Sequence, residues 1–274
     1  MAAPGSWGGI ASADAEGHLM VGFGRRKKLP MSKDPNARAP APTGQTDQRV
    51  PEAASRAEID TFLNRVSALA PAANRGRLIF ALDATMSRQP TWDQACRLQA
   101  DMFREAAAIG SLTIQLVYYR GLAECRASPW IAEPERLGAL MSRIDCRGGH
   151  TQIAKILAHA RRENEQTQVA ALVFVGDAME EELDGLCAGA GELGLRNVPA
   201  FMFQEGYDAI CERAFREIAR LTRGAYCRFA PGAAHELAEL LRAAAAYAAG
   251  GMKALADLKA RRNAGAVRLI EQLK

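Results

Sequence analysis

No stretch of the sequence stays apolar for the roughly 18 residues that a membrane-spanning helix needs. The alanine run Ala243–Ala246 is too short and too weakly apolar. A basic-then-apolar signal pattern is also missing, because Ala2–Gly9 holds small residues around Trp7. These absences lead to the expectation of a soluble, cytoplasmic protein without a membrane span. The six cysteines (Cys96, Cys125, Cys146, Cys187, Cys211 and Cys227) form no CxxC pair and no metal-knuckle spacing. Most sit inside apolar stretches, so buried reduced thiols are expected in place of a disulfide framework. The nucleotide and hydrolase signatures GxSxG, GxxxxGK(S/T) and a strand-linked GxGxxG are absent, and so is any internal repeat.

What is present is an ordinary globular composition, 49% hydrophobic and 24% charged over 274 residues. That is enough for one full α/β domain plus tails. The net charge of +4 is unevenly spread. Residues 1–58 hold eight Lys/Arg and six Asp/Glu, residues 251–274 hold six and two, and the stretch between them holds 21 and 23. Basicity therefore belongs to the tails, including the block Arg25-Arg26-Lys27-Lys28. Nucleic acid is not expected as a partner except through those tails.

Four regions follow from composition and periodicity. Residues 1–54 are rich in Ala, Pro and Gly, with breakers at Pro30, Pro35, Pro40 and Pro42, and read as a disordered basic tail. Residues 55–75 read as a short helical lead-in through Ile59, Phe62, Leu63 and Val66, ended by Pro71. Residues 76–250 read as the domain, and residues 251–274 as a basic C-terminal helical tail. Within the domain, apolar runs at Leu78–Asp83, Val169–Val175 and Val198–Phe203 fit strands covered on both faces. Leu112–Tyr119 alternates more, which suits a strand nearer an edge, and Ala225–Phe229 reads as a last short strand. Leu122–Ser128 reads as an antiparallel strand reached by a tight turn at Gly121. Helices are expected from the capping box Thr91-Trp92-Asp93-Gln94, from Pro134 to about Ile144, over Thr151–Glu163, over Asp208–Arg223 with Gly224 as the stop, and over 233–249. The expected fold class is α/β: a doubly wound, mostly parallel six-stranded sheet with one antiparallel edge strand and helices on both faces.

Two strands end in aspartate, at Asp83 and at Asp177. In an open α/β sheet, ligands bind beyond the carboxyl ends of the strands, where strand order reverses. The segment Asp83-Ala84-Thr85-Met86-Ser87 offers a carboxylate and two hydroxyls, Thr151 at a helix start adds a hydroxyl, and Asp177 adds a carboxylate. This is an all-oxygen set suited to Mg²⁺, with Mn²⁺ or Ca²⁺ as alternatives, and poorly suited to Zn²⁺. Two carboxylates only balance the ion's charge, which leaves it able to accept an oxygen from outside. The same residues also have plain structural readings: Asp83 as a strand end, Thr85 and Ser87 as a turn, Thr151 and Asp177 as helix N-caps. Glu180-Glu181-Glu182 reads as a capping set for the helix that follows it, and His150 as a polar loop residue. Tyr118-Tyr119-Arg120 sits at a strand end near the same edge, where lining the crevice and packing the core fit it equally.

The segments LIFALDATMS, GGHTQI and ALVFVGDAMEE resemble the von Willebrand factor A family, whose metal-ion-dependent adhesion site is written DxSxS, then a distant Thr, then a distant Asp. The likeness spans roughly residues 76–230 and points to a bacterial-type intracellular member. It implies the strand order 3-2-1-4-5-6. It also implies that Thr85, Ser87 and Thr151 bind the metal directly or nearly so, that Asp83 and Asp177 often act through water, and that a partner's carboxylate completes the shell. Thr85 stands where the family usually has Ser, and Ala178 follows Asp177 where the family often has Gly. The expected function is a metal-dependent module that binds a protein partner offering a carboxylate, and not an enzyme. Of the four histidines only His150 lies near the site, so a general base is hard to find. The alternatives are an enzyme acting on phosphate or nucleotide at the same edge, or an architectural subunit with a vestigial metal site.

Overall fold

The computed structural model describes residues 8–9, 76–88 and 112–273. The expected helices at 55–70 and from Thr91, and all of the N-terminal tail except Gly8 and Gly9, lie outside the described residues. The strands are β1 (Gly8–Gly9), β2 (Gly76–Asp83), β3 (Leu112–Arg120), β4 (Glu124–Ala127), β5 (Ala171–Gly176), β6 (Ala200–Glu205) and β7 (Ala225–Phe229). The helices are α1 (Pro134–Met141), α2 (Ile153–Gln166), α3 (Leu183–Leu195), α4 (Ala209–Thr222), α5 (Ala234–Ala260) and α6 (Ala264–Ile270).

The strands form one sheet in the order β1-β4-β3-β2-β5-β6-β7. The six longer strands follow the expected 3-2-1-4-5-6 arrangement. β2 pairs in parallel with β3 and β5, β5 with β6, and β6 with β7, while β4 is antiparallel to β3. The hairpin turns at Gly121, whose φ of +62° a side chain rarely tolerates. Sequence reading did not find β1, two tail glycines that pair antiparallel with Arg126 and Ala127. With neither a side chain nor an apolar pattern, they carry no strand signal.

Continuous apolar runs became buried strands for the reason expected: both faces of the sheet are covered. Along β2, Leu78, Phe80 and Leu82 face one core with α1, α5 and α6, and Ile79 and Ala81 face the other with α2, α3 and α4. The described cysteines are free, with Cys125, Cys146, Cys211 and Cys227 buried. Two differences stand out near β7. Helix α4 ends with Arg223, not a glycine, in the left-handed conformation (φ +56°), and Gly224 N–H closes the turn onto the Ala219 carbonyl at 2.8 Å. Gly224 is needed for proximity instead, since a Cβ there would lie 1.9 Å from the Ala200 carbonyl oxygen.

The second difference is the region beyond residue 250, which sequence reading treats as a basic tail. Non-helical angles at Gly250 and Gly251 break α5 into two arms, and α6, which follows the second arm, packs against the first. Ala264 N–H donates to Glu239 Oε2 at 3.1 Å, and Leu255, Ala266 and Leu269 are buried in the core. Their spacing was masked by the lysines and arginines on the outer face. Helix α6 also covers the open edge of β7. The Gln272 amide accepts from Tyr226 N–H and donates to the Tyr226 carbonyl, both at 2.9 Å, and Arg268 donates to the Arg228 carbonyl.

Candidate metal centre

The sheet reverses between β2 and β5, because β3 and β4 extend from one side and β6 and β7 from the other. The parallel register sets Leu82 beside Val175, so Asp83 and Asp177 leave neighbouring strand ends into that crevice. Asp83 is fully buried. Its Oδ1 accepts from Thr85 N–H at 2.7 Å and its Oδ2 from the Tyr119 hydroxyl at 2.9 Å. Burial pushes its carboxyl up to about 6, the Asp177 charge adds to the rise, and the hydrogen bonds from Thr85 and Tyr119 oppose it. Burial, with the Asp83 charge, holds the Tyr119 phenol far above its ordinary range, so it remains a donor.

Thr85 Oγ1 and Ser87 Oγ lie 3.1 Å apart at the start of a one-turn 3-10 helix, Met86–Arg88, with Ser87 exposed and Thr85 buried. Arg147 N–H donates to the Ala84 carbonyl at 3.0 Å, which lays the loop before Thr151 alongside this turn. The same loop also passes close to the β3–β4 turn, where Gly149 is needed: a Cβ there would sit 2.0 Å from the Gly121 carbonyl oxygen. Thr151 in turn is tied to the loop after Asp177. Its N–H donates to Glu180 Oε2 at 3.1 Å, and its Oγ1 accepts from Glu180 N–H at 3.0 Å. Asp83, Thr85 and Ser87 are thus in direct contact, Asp177 leaves the adjacent strand, and Thr151 is bonded to the Asp177 loop. Among the described residues, no three His, Cys, Asp or Glu side chains gather as a metal cluster, so the oxygen set relies on hydroxyls beside its two carboxylates.

The fit to a hard cation can be judged from one atom. Asp177 Oδ1 is buried and has no hydrogen-bond partner among the described residues. A buried carboxylate oxygen without a donor is costly, and a second carboxylate at Asp83 adds repulsion. A divalent ion would relieve both, so the residues present fit the group that the sequence pattern implies.

Several residues at this edge take roles that sequence reading did not assign. Tyr119, read as either crevice or core, bonds the Asp83 carboxylate; the parallel register that sets it level with Asp83 is the signal, visible only once β2 and β3 are paired. Arg88 is fully buried and ion-paired with Glu205 at the end of β6, and Glu205 Oε1 also accepts from Gly232 N–H at 3.3 Å. The acidic run does not cap its own helix. Glu182 is the N-cap residue of α3 without a side-chain bond, while Glu181 accepts from Ile153 N–H and, at 2.9 Å, from Ala154 N–H, capping α2 across the crevice. The carboxylate meets the positive end of α2, whose own N-cap, Gln152, makes no side-chain cap bond. Glu181→Gln is expected to cost about 1 kcal/mol, read as a lower urea midpoint at unchanged slope. His150 bonds Glu180 Oε2 at 3.0 Å and is 68% exposed, a polar loop residue as expected.

The described architecture is a von Willebrand factor A-like fold. It is similar to the SpRpn10 VWA domain, with a TM-score of 0.50 and 10% identity over 60% of this chain and 95% of that one. The vWF domain of the type V pili tip protein Mfa5 from Porphyromonas gingivalis gives a TM-score of 0.47 at 10% identity, covering 62% of this chain and 93% of that one. Proximal thread matrix protein 1 from the mussel byssus gives 0.49 at 14% identity, covering 69% and 51%. No family model and no curated protein sequence matches the chain. Among the described residues, no helix is long and apolar enough to cross a membrane.

Proposed function

We propose that the chain is a metal-dependent binding module that recognises an acidic group on a protein partner through a divalent ion at the carboxyl edge of the sheet. The observation that carries this reading is the buried Asp177 Oδ1, without a hydrogen-bond partner among the described residues, in the same crevice as the buried Asp83 carboxylate. Asp83, Thr85, Ser87, Thr151 and Asp177 would hold the ion, Mg²⁺ or Mn²⁺. Bound there, the ion would supply an electrophilic position for an oxygen from outside, because two carboxylates only neutralise it. Ser87 is the exposed member of the set, which leaves the edge open to an approaching partner. The VWA-like fold supports a binding role over a catalytic one. So does the histidine at this edge, which is solvent-facing and held by Glu180 rather than paired with a nucleophile. As part of the same reading we place the protein in the reducing cytoplasm, which the free described cysteines support.

The test is thermal unfolding of chelator-treated protein with and without added Mg²⁺ or Mn²⁺. At 100 times its dissociation constant an ion bound only by the folded state adds about 2.7 kcal/mol. That gain is expected in wild type and lost in Asp177→Ala. No gain at millimolar ion, or an undiminished gain in the variant, sinks the assignment. Partner recognition is tested by capturing proteins on immobilised chain in Mg²⁺, with release by chelator expected.

A further inference from the structure

At the opposite, amino edge of the sheet, the end of α4, the start of β7 and the segment after α6 line a cavity of about 590 Å³, within the size range of small-molecule sites. Three arginines, Arg216, Arg220 and Arg223, line it beside Tyr226 and Gln272, and no acidic residue is among its described lining residues. Arg216 and Arg220 are one turn apart on α4, and Arg223 follows just past its end.

Each arginine is held differently. Arg216 lies 4.3 Å from the centre of the Tyr226 ring and bonds Glu212 at 2.9 Å. Arg220 bonds Glu217 at 2.9 Å. Both arginines are largely exposed in these pairs, and exposed pairs of this kind exchange readily for another anion. Arg223 makes no side-chain hydrogen bond or ion pair among the described residues. It is also the residue in the left-handed conformation, φ +56° and ψ +30°, at a position where glycine is the usual solution. A cation at the end of a helix is favoured by its dipole, but Arg220 in the last turn already meets that need. Among the described residues the left-handed Arg223 therefore has no structural reason to be an arginine, and it lines the cavity.

We propose that this cavity is an anion site for a small phosphorylated ligand, with Arg216, Arg220 and Arg223 contacting the phosphate oxygens. The planar fork of a guanidinium matches two phosphate oxygens at once, and three forks around one concavity suit a compact polyanion. An extended nucleic-acid backbone is a poorer match, because residues 59–250 hold 21 basic and 23 acidic residues and so offer no broad positive field. The site shares no residue with the metal centre, so either reading can fail without the other.

Isothermal titration calorimetry of the full chain with inorganic pyrophosphate, in chelator and at low ionic strength, tests it. Saturable submillimolar binding is expected. Arg223→Gln and Arg216→Gln should each weaken it by about tenfold or more, the loss of one charge-assisted contact. Arg143→Gln, an exposed arginine outside the cavity, should leave it unchanged. Arg223→Gly should raise the melting temperature by relieving the left-handed residue, yet weaken pyrophosphate as Arg223→Gln does. Absence of saturable heat at millimolar pyrophosphate in folded wild type overturns the proposal. So does equal affinity in wild type and Arg223→Gln, or an equal loss in Arg143→Gln.

Discussion

Glu205→Ala is expected to lower the free energy of unfolding by about 3–5 kcal/mol, the usual result of deleting one member of a buried ion pair. Glu205 and Arg88 are 6% and 1% exposed, and the pair joins the turn that carries Thr85 and Ser87 to the end of β6. Removing the carboxylate leaves the Arg88 charge buried without it, and also removes the acceptor for Gly232 N–H. The loss is read as a drop in the urea midpoint at constant slope. Glu205→Gln keeps an acceptor at the same place and should cost less. The double variant Arg88→Met, Glu205→Leu should recover most of the loss, because an apolar pair of similar volume has no desolvation cost. If Glu205→Ala alone were silent, the pair would be no more than a surface contact.

The second large effect concerns pH and two buried groups with opposite shifts. His159 Nε2–H donates to Gln115 Oε1 at 2.7 Å; that direction follows because the Gln115 amide donates to the Ser128 carbonyl. Burial holds the imidazole down to about 4, with Glu163 opposing and Arg162 assisting. In the unfolded chain a histidine titrates near 6.5. Between pH 6.5 and 4 the unfolded state therefore binds the extra proton, and the His159 contribution to stability is lost as pH falls, by about 3 kcal/mol. Asp83 behaves in reverse. Its folded value of about 6 lies above its unfolded value, so the folded state binds the extra proton and stability rises as pH falls from 6 to 4, by about 3 kcal/mol.

In metal-free protein the two contributions oppose each other over the same window, and single variants separate them. Relative to wild type, Asp83→Asn should become progressively less stable on acidification from pH 6.5 to 4, and His159→Gln progressively more stable. A wild-type-to-variant difference that stays flat with pH, in denaturant titrations repeated across that range, would falsify the assignment for that residue. Under the proposed function, saturating Mg²⁺ holds Asp83 ionised, so metal-loaded wild type should be acid-labile where the chelated protein is not.

Much of this was legible in the sequence, for identifiable reasons. The strands and the antiparallel edge follow from apolar runs and a turn at Gly121, the strand order is what the motif likeness implies, and the sheet has that order. Asp83, Thr85 and Ser87 stand out in the sequence by alternate spacing behind an apolar strand, and Thr151 and Asp177 by the family likeness; that the five hold an ion is our proposal. What stayed hidden depends on pairing at long range. Arg88 and Glu205 are 117 residues apart, and neither has a local pattern that names the other. Glu181 looks like a cap for the helix beside it in sequence, yet its carboxylate reaches a helix that starts 28 residues earlier, because the two loops meet over one crevice. Arg223 illustrates the limit in the other direction: Gly224 carries the stronger local signal for a left-handed turn, and a close approach to Ala200 decided otherwise.

The cover over β7 also sets an order of events during synthesis. Tyr226 leaves the ribosome 46 residues ahead of the glutamine that occupies its free backbone groups. At typical elongation rates that interval lasts roughly 2–9 s. Throughout it the last strand presents an unpaired N–H and carbonyl row to neighbouring nascent chains, the situation in which sheet edges associate wrongly. The interval ends when Arg268 and Gln272 emerge and dock, so its length is set by the 46 residues between the strand and its cover, and the break at Gly250 and Gly251 lets that cover turn back.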